Sequence, residues 1–260
     1  MPHLPVELVR MIVLYVAREH KRLFPLLFVS KEFLHETSRI IYRCIFIGTQ
    51  HKRHQLPLNN AAKRSYYASL VEEITIGSSR LYNDIRRILH AVMNLRHLRL
   101  LETDTSTLQY ILRPDYPFRI HTFECRVTRN PRLTEFIESQ PSIKTIGCCR
   151  SVGLGPLAGR DDLARSSSLP SLQNIYAGDA LLSSELFEHG NIKRIDIGGE
   201  PSKLLRIPNE PTEASRRVVS LRLPAASARI SVILNFFPNV QYLDGCWILV
   251  SLSCHLSFPY

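Results

Sequence analysis

The sequence lacks the features of membrane, secreted and zinc-binding proteins. No apolar run approaches the roughly 18 residues that a membrane-spanning helix needs. The six cysteines show no CxxC pairing and no histidines at zinc-finger spacing, which favours reduced thiols over disulfides or a metal site. Glu7 and Arg10 interrupt the first apolar stretch, so it does not resemble a secretory signal. We therefore expect a protein of the cytoplasm or nucleus that has no membrane partner.

The sequence also shows no recognisable catalytic pattern. It contains no HExxH motif, and no Ser/His/Asp set or paired-carboxylate arrangement stands out. Gly153, Gly155 and Gly159 fail the spacing of a phosphate-binding loop, and Arg160 stands where such a loop carries lysine. We therefore predict that the protein is not an enzyme, has no catalytic residues, and uses no cofactor or metal.

Acidic residues are absent between Glu36 and Glu72, in a chain whose formal net charge is +10. That interval holds a cluster of basic residues, namely Arg39, Arg43, Lys52, Arg53, Lys63 and Arg64. A basic stretch of this kind can contact nucleic acid or an acidic partner, but this one lacks the interleaved aromatics that base stacking uses. We interpret residues 48–65 as a polar, basic, solvated loop and do not expect nucleic acid to be the main partner.

The first fifty residues contain three short apolar segments. The first has a stripe at helical spacing, formed by Leu8, Met11, Ile12, Tyr15 and Val16. Val9 and Val13 give the same helix a second apolar face. Pro25 is predicted to start a short second helix, and Ser30 to cap a third one. So much apolar surface on about forty residues requires a partner to cover it.

These segments resemble the F-box. The matching string is Leu4-Pro-x-Glu-Leu-x-x-x-Ile12, then Leu26-Leu27-x-Val29-Ser30-Lys31-x-Phe33, then Ile41-Tyr42-Arg43. The resemblance covers residues 3–47, and we assign 1–47 to an F-box domain. It implies docking onto a Skp-type adaptor, and through it onto a cullin, within a ubiquitin ligase.

Carried over position by position, the resemblance implies that six residues supply the adaptor contact and its support: Leu4, Pro5, Leu8, Ile12, Leu26 and Val29. The alternative is that the three helices only cap the domain that follows. A cap has no need to begin with Leu-Pro-x-Glu-Leu, so we favour the adaptor contact.

A second pattern, apolar-x-x-apolar-x-apolar, recurs eight times after Ser65. Its central residues are Ile74, Leu98, Phe123, Ile146, Ile175, Ile195, Leu221 and Leu243. The intervals between them run from 20 to 29 residues, which is the range of leucine-rich repeats, each built from a short strand and a helix. Helical stripes lie between copies at 85–92, 108–112, 131–137 and 230–237.

We therefore predict an α+β architecture of the repeat α/β solenoid type. A three-helix F-box is followed by an irregular leucine-rich-repeat-like array of about eight strand–helix units over residues 66–260. Within the array, residues 150–168 are expected to form a flexible insertion. The uncharged tail 247–260 is expected to fold back over the last repeat.

In such an array, the residues that flank the buried strand positions line the concave face. Substrate contacts are accordingly predicted at Arg99, Glu124, Arg126, Tyr176, Arg194, Arg222 and Tyr242. This mixture of charges and tyrosines suits recognition of a protein surface. The sequence thus predicts the substrate-recognition subunit of a Skp–cullin–F-box-type ubiquitin ligase. The alternative is a repeat scaffold or nucleic-acid-associated protein whose N-terminal helices only cap the solenoid.

Overall fold

Short helices and four-residue strands alternate along the chain. The computed structural model describes residues 4–19, 23–48, 61, 63–77, 82–101, 105–125, 131–148, 169–177, 190–197, 210–223 and 230–245. The predicted insertion at 150–168, the predicted fold-back of 247–260 and most of the loop 48–65 lie outside these ranges. None of the helices within them is both long enough and apolar enough to cross a membrane.

Three helical segments precede the first strand. They are α1 (Val6–Glu19), a 3-10 helix (Phe24–Phe28) and α2 (Lys31–Arg43). The N–H groups of Leu8 and Val9 donate to the carbonyl of Pro5, at 3.1 and 3.2 Å. The N–H of Phe33 donates to the Ser30 hydroxyl at 3.4 Å, so the predicted cap of α2 is confirmed.

In the described part of the chain, nine parallel strands form one open sheet. The strands are β1 (Cys44–Ile47), β2 (Glu73–Ile76), β3 (His97–Leu100), β4 (Thr122–Cys125), β5 (Thr145–Cys148), β6 (Asn174–Ala177), β7 (Arg194–Ile197), β8 (Ser220–Leu223) and β9 (Tyr242–Gly245). Each strand pairs with its neighbours in the sequence, so the units stack in one direction. This confirms the predicted repeating α/β architecture at the level of an open parallel sheet.

The central residues of the predicted repeats form one buried row across the sheet. Ile74 pairs with Leu98, Leu98 with Phe123, and the pairing continues in the same way to Leu243. Ile45 of β1 adds a ninth member by pairing with Ile74. The predicted array begins at residue 66, so β1 adds to the sheet a strand from the segment that was assigned to the helical domain.

Helices pack on one side of this row and enclose the main core. They are α3 (Ser65–Ser69), α4 (Tyr82–Ala91), α5 (Thr105–Ile111), α6 (Pro131–Glu138), α7 (Glu213–Arg217) and α8 (Ile230–Phe236). The apolar residues of the stripes predicted at 85–92, 108–112 and 131–137 are buried. In α8 the stripe predicted at 230–237 is only partly buried. Leu234, which belongs to it and was predicted to point inward, is 45% exposed, because Phe236 and Phe237 fill the core beside Ile233.

The N-terminal helices are joined to the sheet without a linker. α2 ends at Arg43, and β1 begins at the next residue. Arg43 pairs with Glu72, just before β2, with an Nε–Oε2 distance of 2.9 Å. A hydrogen bond of 2.7 Å joins the Tyr66 hydroxyl of α3 to His35 Nδ1 of α2. The helical segment is thereby held against the first two strands.

Phe123 should be one of the most sensitive positions of the core. It is fully buried and packs against Phe136 of α6 with a centroid distance of 5.5 Å. Phe123→Ala should lower the free energy of unfolding by about 3–5 kcal/mol, because it leaves a cavity between sheet and helix. Urea denaturation followed by circular dichroism measures this effect.

Tyr242→Ala is the matched control, since Tyr242 lies in the same sheet but is 68% exposed. It should change the free energy of unfolding by no more than about 0.5 kcal/mol. Equal losses in the two variants would contradict the assigned register.

Candidate functional site

Large apolar side chains lie exposed over the N-terminal helices. This helical apolar surface consists of Leu4, Val6, Leu8, Met11, Ile12, Leu14, Tyr15, Phe24, Phe28, Val29 and Leu34. Phe28 is the most exposed of these residues, at 87%. A concentration of apolar surface on so short a segment is typical of a protein interaction site.

The surface exists because α1 has two apolar faces and the fold covers only one of them. Val9 and Val13 are buried against Phe33 of α2 in a small core of their own. Leu8 and Ile12, from the broader predicted stripe, remain 45% and 40% exposed. The larger apolar face is therefore available to a partner.

The six residues that the F-box resemblance marks have two kinds of environment. Those on the surface are Leu4, Pro5, Leu8, Ile12 and Val29. Leu26 is half-buried and packs against the small core, which suits a supporting role. Sequence reasoning assigned no contact to Phe24 and Phe28, because a five-residue 3-10 helix has too few turns for periodicity to show which side chains face outward.

A second surface is the face of the sheet that the helices leave uncovered, called here the open face. It carries two rows of residues, since side chains alternate along a strand. The first residues of the strands form one row, called here the first row: Cys44, Glu73, His97, Thr122, Thr145, Asn174, Arg194, Ser220 and Tyr242. The third residues of the strands form the other row, called here the third row: Phe46, Thr75, Arg99, Glu124, Gly147, Tyr176, Asp196, Arg222 and Asp244.

The predicted substrate contacts fall on these two rows. Arg194 and Tyr242 belong to the first row, whereas the third row contains Arg99, Glu124, Tyr176 and Arg222. Arg126 lies outside the described residues. The structure thus brings six of the seven predicted residues onto one face of the sheet, spread over β3 to β9.

The charges of the third row are neutralised by partners on the open face. Arg99 lies between Glu73 and Glu124, with nitrogen–oxygen distances of 3.5 and 3.4 Å. Arg222 lies in the same way between Asp196 and Asp244, at 3.5 and 3.3 Å. Such partly exposed pairs add little to stability, but they hold the side chains in place.

Arg194 differs from these two arginines. Among the residues that the structure describes, its guanidinium has no carboxylate partner, and its side chain is exposed. It pairs across the sheet with Asn174 on one side and Ser220 on the other. This part of the first row offers hydrogen-bonding groups around one unpaired positive charge.

The side chain of Glu124 covers Gly147, which is buried in the third row. A Cβ atom at this position would lie 2.7 Å from Cγ of Glu124, so only glycine lets that side chain lie as it does. Tyr176 occupies the paired position on the next strand. Glycine inside a strand is typical of places where another group lies close to the backbone, here the Glu124 side chain.

The exposed cysteine of the first row is not an activated nucleophile. The Sγ atom of Cys44 lies 3.7 Å from a carboxylate oxygen of Glu73. Partial burial, and then the negative charge of Glu73, raise the pKa of the Cys44 thiol, although Arg43 opposes this. A raised pKa leaves less reactive thiolate at neutral pH.

The chain matches no protein-family model, and no curated protein sequence matches it. The two surfaces and the residues that form them are therefore what indicates a function for this chain.

The close approach of the Glu124 side chain to Gly147 leads to a testable prediction. Gly147→Ala should lower the free energy of unfolding by about 1–3 kcal/mol, because the new methyl group displaces Glu124. Adding Glu124→Ala removes the obstructing Cγ atom, so the same glycine substitution should then cost about 1 kcal/mol less. Urea denaturation of all four proteins in the cycle measures this coupling, and strict additivity would show that the two side chains do not compete for space.

Proposed function

We propose that this chain is the substrate-recognition subunit of a Skp–cullin–F-box-type ubiquitin ligase. Its N-terminal helices dock on a Skp-type adaptor and through it on a cullin, and the repeat array binds a protein substrate. The chain itself carries out no covalent chemistry in this proposal. It brings substrate and ligase together.

The observation that carries the proposal is the helical apolar surface. Leu4 and Leu8 of the Leu-Pro-x-Glu-Leu motif, and Ile12 of its helical continuation, are exposed in the structure. A helical cap that served only the array would turn its broader apolar face toward the sheet. Here that face points to solvent, while the narrower face, with Val9 and Val13, fills the small core.

The connection to the sheet supports a receptor role as well. The stacked rings of Tyr42 and Tyr67, with centroids 4.4 Å apart, join α2 to α3. β1 continues directly from α2 and pairs with β2 over its full length. A substrate on the open face would therefore be held in a defined position relative to the adaptor, which productive ubiquitin transfer requires.

The adaptor contact is tested with the double variant Leu8→Ala, Ile12→Ala and a purified Skp-type adaptor. Binding should weaken by about 2–4 kcal/mol, because two apolar anchors at the centre of the surface are removed. Titration calorimetry measures the affinity. The thermal midpoint of the free chain should stay close to that of the wild type, since both side chains are substantially exposed.

Met93→Ala, Leu234→Ala is the matched control, because it removes a similar exposed apolar area from the array. This variant should bind the adaptor like the wild type. If the wild-type chain does not bind the adaptor, or if both double variants bind it equally well, the proposed docking is wrong.

A further inference from the structure

Basic side chains line the edge of the sheet at which the strands begin. The residue immediately before each of β3, β4, β5 and β7 is Arg96, His121, Lys144 or Lys193, in that order. Before β6 the same place is taken by Gln173. Arg96, Lys144 and Lys193 are exposed and His121 is half-buried. We call these four the basic ridge.

The backbone aligns the ridge residues as it aligns the strands. The N–H of His121 donates to the carbonyl of Arg96, and the N–H of Lys144 to that of His121, both at 2.8 Å. Gln173 and Lys193 continue the series at 2.9 and 2.8 Å. Arg96, His121 and Lys144 are therefore one strand apart in space, and Lys193 lies two strands from Lys144, although all four are more than twenty residues apart in the chain.

The charges of the ridge are unbalanced. Within the described part of the chain, Arg96, Lys144 and Lys193 have no carboxylate partner. The arginines of the third row, by contrast, each lie between two acids. Arg194, which is also unpaired, follows Lys193 and extends the positive region onto the open face.

The titration of His121 reflects this surplus of positive charge. Its pKa is lowered first by partial burial, and then by the positive charges of Lys144 and Arg96 and by His97. An anionic partner would relieve the same repulsion. Lys144 and Arg96 thus lie close enough to His121 to disfavour its protonated form.

We propose that the basic ridge binds an acidic segment of the protein substrate, lying across the strands from β3 to β7. That this segment belongs to a ligase substrate rests on the function proposed above, whereas the binding of an acidic segment by the ridge does not. Arg96 and Lys144 are two strands apart, about 10 Å, and so are Lys144 and Lys193. A chain in the polyproline II conformation advances about 9 Å in each turn of three residues, so acidic side chains at i, i+3 and i+6 lie on one face and match this spacing.

The surroundings of the ridge favour a polypeptide over a nucleic acid. Next to the ridge, the first row has uncharged hydrogen-bonding side chains at Thr122 and Asn174, and the Asn174 amide donates to the hydroxyl of the buried Thr145 at 3.0 Å. Beyond them stand the carboxylates of Glu124 and Asp196. A polyphosphate backbone broad enough to cover both rows would meet those acids, whereas a peptide needs carboxylates only on the side that faces the ridge.

The test uses the full chain and a fluorescein-labelled peptide of about nine residues, with glutamates at i, i+3 and i+6 between serines and glycines. The triple variant Arg96→Glu, Lys144→Glu, Lys193→Glu should bind it about tenfold more weakly than the wild type in fluorescence anisotropy at about 50 mM NaCl. The matched control is Arg86→Glu, Arg87→Glu, Arg216→Glu, which makes the same charge change at exposed positions on the helical side. It should stay within about twofold of the wild type.

Three results would overturn the proposal. The first is that the wild type binds a peptide with glutamine in place of each glutamate as tightly as it binds the glutamate peptide. The second is that the two triple variants weaken binding of the glutamate peptide equally. The third is a single-stranded oligonucleotide of matched charge that binds more tightly than the peptide and loses its affinity only in the ridge variant. Adaptor binding is measured separately, because its failure in the wild type would overturn the proposed ligase role and leave the ridge result standing.

Discussion

The register of one buried row determines the rest of this structure. Because side chains alternate along a strand, the pairing of Ile45, Ile74, Leu98 and their counterparts decides which residues face the helices and which face outward. A slip of one residue in any strand would bring charged side chains such as Arg99 and Glu124 into the core. The same register aligns the two rows of the open face and the ridge beside them. Core packing and the interaction surfaces thus have a single physical origin.

Much of this register could be predicted from the sequence, because each strand repeats an apolar pattern whose centre falls on its second residue. The pattern could not show that β1 belongs to the sheet, since its four residues follow directly on α2 and were grouped with the N-terminal helices. Nor could it predict the ion pairs of Arg99, whose partners are some twenty-five residues away on either side. Only the pairing of neighbouring strands brings those carboxylates within reach. Leu234 was placed wrongly because Phe236 and Phe237 fill more of the core than a leucine can.

The helical apolar surface could be predicted only in part, for a different reason. Periodicity identified two apolar faces on α1, but it contains no information about which of them the rest of the chain covers. Val9 and Val13 are short, β-branched side chains that let α1 approach Phe33 closely. The longer side chains of Leu8 and Met11 stay outside. The resemblance to the F-box, rather than hydrophobicity, marked Leu8 and Ile12 of the exposed face as contact residues.

The two kinds of surface rely on different forces, and this difference allows them to act independently. The helical surface is apolar, so its interactions depend on the area removed from water and respond little to salt. The ridge depends on charge, and the screening length of about 8 Å at physiological ionic strength limits its reach. Neighbouring cations of the ridge lie two strands, about 10 Å, apart, so salt at that concentration screens much of their effect on one another. The ion pairs around Arg99 and Arg222, with nitrogen–oxygen distances of 3.3 to 3.5 Å, lie well within the screening length and largely cancel. A charge on this sheet is therefore available to a partner where the neighbouring strands place no opposite charge within reach.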